Sequence, residues 1–264
     1  MLLGLATSST QETAQIPISS EGVVCEHPPY RIQLVSSSPL IIYIHNFLTE
    51  NERTHLRSTR QVKDKFRNSV VAADSTSGAA VSKQRSSQST YVSTHDPIVH
   101  CIEERALVFQ GYDIPRSHLE PLQLVKYAQA GDHYHFHTDW FTDPVYSYAF
   151  NGGNRVSSFF AYVYVSNDTT GGGTNFPLVE TPRDERWCGT VVDCDKPWEN
   201  GVTFRPIEGN AVFWKNLHDD GTGNQKTLHA GLPVTSGEKI GMNIWTRQAP
   251  LNEEAKAPDE YPDL

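Results

Sequence analysis

The sequence predicts an α+β protein whose strands close into a sandwich or barrel, on three observations. Helix signals end at Gly111. From Leu122 onward, short aromatic and β-branched stretches alternate with glycine-rich or polar turns, as in strands. The 264 residues are enough for one sizeable domain with a full core, so length alone does not require a second.

Each element has its own local reason. Leu40-Ile41-Ile42-Tyr43-Ile44 is an apolar, branched run and reads as a strand. Thr49-Glu50-Asn51-Glu52 then forms a capping box that opens a helix. Asp96-Pro97 starts a second helix that carries Ile98, Ile102, Ala106 and Phe109 near one face and stops at Gly111. Leu122–Tyr127, Ser158–Val165, Ala211–Trp214 and Met242–Thr246 are the expected strands of the β-rich part.

Both ends differ from this pattern. Residues 1–28 are rich in Ser, Thr and Gln and read as a flexible lead-in, while residues 251–264 read as a solvated acidic tail. A single domain is therefore expected over 29–250.

Composition removes several function classes. A net charge of −9 with 20% charged residues is not the footprint of a nucleic-acid binder. The apolar runs are far shorter than the ~20 residues that cross a bilayer. The opening Met1–Ala6 lacks the basic flank and length of a signal peptide, so a cytoplasmic protein is expected, with no membrane or nucleic-acid partner. Four cysteines without a Cys-x-x-Cys pair make neither a zinc motif nor a disulfide framework, and Cys188 and Cys194 are expected to be reduced.

The segment Gly131-Asp132-His133-Tyr134-His135-Phe136-His137-Thr138-Asp139-Trp140 carries the chemistry. On an extended backbone His137 and Asp139 share one side, and His229 lies far downstream. Two neutral imidazoles and a carboxylate are the set that holds iron(II) on one face and leaves the opposite positions open. His218-Asp219-Asp220 repeats the spacing, but Asn216, Gly221, Gly223 and Asn224 mark it as an irregular loop that fixes ligands poorly. His133 and His135 read as surface or loop histidines, and Tyr162 and Tyr164 as packing residues on one strand face.

Read outward from His137, the chain presents Tyr127, Gly131, Tyr134, Asp139, Tyr164-Val165-Ser166-Asn167 and Gly171-Gly172-Gly173-Thr174-Asn175-Phe176-Pro177. Pro206, Gly209, Ala211, Phe213, His229-Ala230-Gly231-Leu232-Pro233-Val234, Gly237, Lys239 and Trp245 follow in order. This ordered set resembles the prolyl 4-hydroxylase branch of the iron(II)/2-oxoglutarate-dependent dioxygenases. Pro39, Phe47-Leu48-Thr49, Arg85-Ser86-Ser87 and Glu120–Tyr127 are weaker matches, and the resemblance runs over most of the chain.

The resemblance implies a double-stranded β-helix, or jelly roll, with N-terminal helices packed on one side. It implies His137, Asp139 and His229 as iron ligands. Lys239 would pair with the distal carboxylate of 2-oxoglutarate, with Tyr127 and Thr174 beside the cosubstrate. Iron(II), 2-oxoglutarate and dioxygen follow as cofactor and cosubstrates, with ascorbate as an optional reductant. The implied reaction couples oxidative decarboxylation of 2-oxoglutarate to C–H oxidation.

Two departures bear on substrate. The arginine expected shortly before the strand ending in Tyr164 is displaced to Arg155, and residues 178–201, with Trp187, Cys188, Cys194 and Trp198, read as an inserted loop able to cover the site as a lid. Peptidyl proline is one candidate substrate, a small molecule oxidised in a tailoring pathway is the alternative, and a non-catalytic jelly-roll binding module is the reading from another class.

Overall fold

The computed structural model describes residues 23–59, 65–69, 86–111, 113–182, 184–195 and 200–252. Arg85, Trp198, most of the lead-in and most of the acidic tail lie outside them.

An eight-stranded antiparallel sheet organises the chain. Its strands are β1 (Arg31–Ser37), β2 (Leu40–His45), β3 (Arg67–Asn68), β4 (Gln88–Tyr91), β5 (Gln123–Tyr127), β7 (Arg155–Val165), β11 (Ala211–Lys215) and β14 (Lys239–Arg247). They run in the order β1-β2-β11-β7-β14-β5-β4-β3. A second sheet, ordered β10-β9-β12-β6, contains β6 (Tyr134–His137), β9 (Thr174–Phe176), β10 (Val202–Phe204) and β12 (His229–Gly231). A small ribbon pairs β8 (Thr170–Gly171) with β13 (Val234–Ser236).

The central strands of the large sheet, β5, β7, β11 and β14, are buried on both faces, which explains their near-continuous apolar residues. On β2, Ile42 and Ile44 join one cluster with Phe159, Ala161, Phe213, Met242 and Ile244, while Ile41 and Tyr43 join another with Phe160, Tyr162, Val212 and Trp214. The first cluster includes Leu56 of α1 (Glu50–Ser58) and Val99, Ile102 and Ala106 of α2 (Pro97–Gln110). The second takes in Phe176, Val202 and Phe204 of the small sheet. Residues of α1 and α2 thus join the first cluster and residues of the four-stranded sheet the second, a sandwich-like core.

The helix starts follow their local signals. Thr49 and Glu52 form the reciprocal capping box, with hydrogen bonds of 2.8 and 3.1 Å, worth about 1 kcal/mol of helix stability. Asp96 caps α2 ahead of Pro97, and Gly111 ends it in the left-handed conformation that glycine adopts without strain. Glu52 then ties the two helices together, because both its oxygens accept from the buried guanidinium of Arg105 at 2.6 and 2.8 Å.

Two expectations need correction. All four cysteines are paired, as Cys25–Cys101 and Cys188–Cys194, each with Cα atoms 5.3 Å apart. Packing of the lead-in on α2 joins residues 76 apart in sequence, a proximity that spacing does not reveal, and it leaves Cys25 buried rather than in a free tail. Tyr162 and Tyr164 do not share a strand face: the register slips between Ile240 and Gly241, and the extra residue at Val163 sends Tyr162 to one cluster and Tyr164 to the other. Where it is described, the 178–201 segment is anchored to the core, with Val179, Val191 and Val192 buried in the second cluster and Trp187 against it.

Candidate active site

His137 closes β6, His229 opens β12, and the two are direct partners in the antiparallel ladder, with ring centroids 4.2 Å apart. Asp139 lies two residues beyond β6 in a bend rather than on the strand, and it is buried. The three side chains offer ligand atoms that all lie within 4.8 Å of one another. Asp139 Oδ1 stands 3.7 Å from His137 Nε2, and Oδ2 stands 3.8 Å from His229 Nε2.

The ring orientations suit a cation. A backbone carbonyl only accepts, so the contacts from His137 Nδ1 to His135 O at 2.8 Å and from His229 Nδ1 to Thr227 O at 2.9 Å place the proton on Nδ1 in both rings. Each Nε2 lone pair is left to face Asp139, which is how imidazoles are held around a metal. Tyr134 stacks on His137 at 3.6 Å, and Trp214 and Phe176 back His229 at 4.7 and 5.5 Å. Burial pushes the Asp139 carboxyl upward, but His229, His137, Arg155 and the Ser158 hydroxyl outweigh it and hold it below the ordinary aspartate value. The donor set, two imidazole nitrogens and one carboxylate without thiolate, fits iron(II).

A cavity beside these groups is lined by Tyr127, Tyr134, His137, Phe160, Thr174, His229, Gly231 and Asn243. Lys239 is buried against Tyr127 of that lining, its Nζ donating to the Gly172 carbonyl, and burial pulls its ammonium down to about 7. Gly172 has φ +69°, and a Cβ there would stand 2.9 Å from Val234 Cγ2 and 3.3 Å from Lys239 Cδ. Only glycine lets that backbone approach the lysine so closely. Tyr127 faces Lys239 across the β5–β14 ladder, and Thr174 pairs with Gly231 and bonds Tyr162 through its hydroxyl at 2.8 Å. All six residues singled out in the sequence therefore converge on one region.

Other candidates do not. His218–Asp220 forms a turn in which Asp220 is engaged by Thr222. Cys25, His27 and Glu104 also cluster, but the Cys25 sulfur is spent in its disulfide. Arg155, read as displaced, does reach the site: it forks onto Glu120 with two 2.7 Å bonds, lies 3.7 Å over the Trp245 ring and approaches the Asp139 carbonyl at 3.5 Å. Ser158 and Asn216 also belong to the site, the first bonding Asp139 directly and the second through the Ser158 hydroxyl, and no motif spacing marks either. A buried polar residue in the aromatic run Ser158-Phe159-Phe160 must have a partner, and that was the available signal.

Residues 122–247 match the model of the 2OG-Fe(II) oxygenase superfamily. A probable prolyl 4-hydroxylase 4 from Arabidopsis thaliana is 32% identical over 229 residues, covering 86% of this chain and 73% of that protein.

The chain belongs to this superfamily, in its prolyl 4-hydroxylase-like branch.

It is an iron(II)- and 2-oxoglutarate-dependent dioxygenase. Prolyl 4-hydroxylase 2 of Arabidopsis thaliana is likewise 32% identical, over 82% of this chain and 70% of its own length. Among solved structures, the viral collagen prolyl hydroxylase of Paramecium Bursaria Chlorella virus-1, in complex with 2OG, shares the fold with a TM-score of 0.55 at 22% identity, covering 78% of this chain and 95% of that one.

Proposed function

We propose that this protein hydroxylates peptidyl proline, with His137, Asp139 and His229 holding iron(II) and Lys239, Tyr127 and Thr174 holding 2-oxoglutarate. The observation that carries the reading is the cavity beside the His137–Asp139–His229 cluster: Tyr127 and Thr174 line it together with His137 and His229, and the buried ammonium of Lys239 lies 4.4 Å from the centre of the Tyr127 ring. Bound there, iron(II) with 2-oxoglutarate and dioxygen supplies the oxidant for an unactivated C–H bond. Lys239 offers the distal carboxylate a charge in a dry site, where a paired charge counts most. Tyr134, Trp214 and Phe176 hold the imidazole planes and exclude water from behind them.

A peptide rather than a small molecule is favoured by the aromatic surface around the motif. Phe136, Tyr148 and Phe150 are exposed next to or shortly after the His137–Asp139 turn, and aromatic surfaces are what extended proline-rich chains dock against. The relatives named above are prolyl hydroxylases by description.

Residues 29–250 would form one catalytic domain, its sheets closing as a double-stranded β-helix with α1 and α2 packed on one side. The pairing of all four cysteines supports an oxidising compartment in place of the cytoplasmic location expected from the sequence.

Succinate release measured with and without iron(II), against a panel of proline-rich peptides and proline-free controls, tests the reading. Stimulation by proline peptides with a gain of one oxygen on proline is expected. Turnover stimulated only by non-peptide substrates would replace it with the small-molecule alternative.

A further inference from the structure

Asp139 is held by a chain of two buried side chains that no local pattern announced. Ser158 donates its hydroxyl to Asp139 Oδ2 at 2.6 Å, the short length of a hydrogen bond to an ionised carboxylate. Asn216 Nδ2 in turn donates to Ser158 Oγ at 2.8 Å. Ser158 and Asn216 are both 0% exposed, so neither exchanges these partners for water.

The direction of the chain is determined by its ends. A carboxylate only accepts, so the Ser158 proton lies on the Asp139 side, and Ser158 Oγ is left to accept from the Asn216 amide. A reversed Asn216 amide would present an oxygen to Ser158, draw the hydroxyl proton away and leave Oδ2 facing a lone pair. Oδ1 has no hydrogen bond among the described residues and faces His137 Nε2. Oδ2 likewise faces an imidazole, His229 Nε2 at 3.8 Å, so the two carboxylate oxygens differ in one respect: Oδ2 carries the Ser158 hydrogen bond and Oδ1 carries none.

We propose that Ser158, oriented by Asn216, is a positioning residue that keeps Asp139 a one-oxygen ligand. Aspartate binds cations through one oxygen or both. Chelation through both would occupy one of the positions a two-His-one-carboxylate face leaves open for the cosubstrates. Hydrogen bonding Oδ2 opposes that option, because it occupies one of the oxygen's two lone pairs and fixes the carboxylate plane, while leaving the charge of the ligand unchanged. The proposal rests on Asp139 as a metal ligand.

Ser158→Ala tests it against Ser157→Ala, which removes a neighbouring buried hydroxyl that bonds Gln110 Oε1 at 2.7 Å instead. Manganese(II) binding to the apoprotein and anaerobic 2-oxoglutarate titration of the iron(II) protein, followed by its charge-transfer absorption, are the readouts. Ser158→Ala should bind manganese(II) as tightly as the parent or more so, yet need at least about tenfold more 2-oxoglutarate, the factor of one charge-assisted hydrogen bond. Ser157→Ala should leave both unchanged. Asn216→Ala should shift the 2-oxoglutarate titration in the same direction, and it serves as the decisive variant should Ser158→Ala lose its thermal transition. An unchanged 2-oxoglutarate titration, or metal affinity lost in parallel with it, overturns the proposal. Failure of the wild-type protein to bind metal, or binding unaffected by Asp139→Ala, would instead overturn the metal-site reading beneath it.

Discussion

Lys239 lies directly opposite Tyr127 in the β5–β14 ladder, with its ammonium 4.4 Å from the centre of the tyrosine ring and no carboxylate paired to it among the described residues. A buried lysine that meets, among the described residues, the ring faces of Tyr127 and Phe160 and the Gly172 carbonyl is costly to the free protein. The arrangement makes sense when an anionic ligand completes it.

Lys239→Met should therefore weaken 2-oxoglutarate while sparing metal. Loss of one charge-assisted contact of ~1.5–3 kcal/mol corresponds to roughly 10- to 150-fold in the Michaelis constant for 2-oxoglutarate. The same variant should raise the thermal transition of the ligand-free protein at pH 7, since it removes a desolvated charge. Steady-state kinetics and a melting curve check the pair, and an unaltered 2-oxoglutarate dependence would remove Lys239 from the site.

Lys239 also predicts a pH dependence. Burial lowers its folded pKa to about 7, below the ~10.4 of an unfolded lysine. Its burial penalty is complete below pH 7 and fades as pH rises toward the unfolded value, so this group makes the ligand-free protein more stable with rising pH across that window. Cosubstrate binding moves the opposite way, because the protonated form is the one that pairs with the carboxylate. The kcat/KM for 2-oxoglutarate should fall about tenfold per pH unit above 7, and the inflection should vanish in Lys239→Met.

His137→Ala, Asp139→Ala and His229→Ala should each abolish iron-dependent succinate formation, with circular dichroism retained. Each removes one of three ligand atoms, and of the three only His229 packs on an apolar cluster, through Phe176 and Trp214. Normal turnover by a well-folded Asp139→Ala protein would show the metal to be held elsewhere.

Replacing residues 178–201 by a short Gly-Ser linker should lower the thermal transition and reduce coupled and uncoupled 2-oxoglutarate consumption together. The segment contributes Val179, Val191 and Val192 to the cluster that contains Phe176 and Trp214, the rings behind His229. Each buried valine is worth about 1.5–3 kcal/mol. Loss of coupling alone, in a protein of parental stability, would restore the lid.

Glu52→Ala should destabilise the fold by about 3–5 kcal/mol in denaturant titration, because it strands the buried Arg105 guanidinium. A loss below ~1 kcal/mol would mean that the Phe47 and Glu26 carbonyls suffice to hold Arg105.

The sequence by itself determined whatever depends on neighbours a few residues apart. The Thr49–Glu52 box, the Asp96-Pro97 start and Gly111 stop of α2, and the strands at Leu40, Leu122, Ser158, Ala211 and Met242 all rest on caps and periodicities that act within a turn or two. The order of His137, Asp139, His229 and Lys239 was enough to suggest the chemistry, because residue type sets what a side chain can ligate. Tertiary structure alone decided the pairing of His137 with His229, the disulfide from Cys25 to Cys101, the burial of Val179, Val191 and Val192 and the parting of Tyr162 from Tyr164 by a bulge. These depend on strand register and on contacts between distant segments. A one-residue slip in register turns side chains to the opposite face, and no local pattern of residues records where that slip falls.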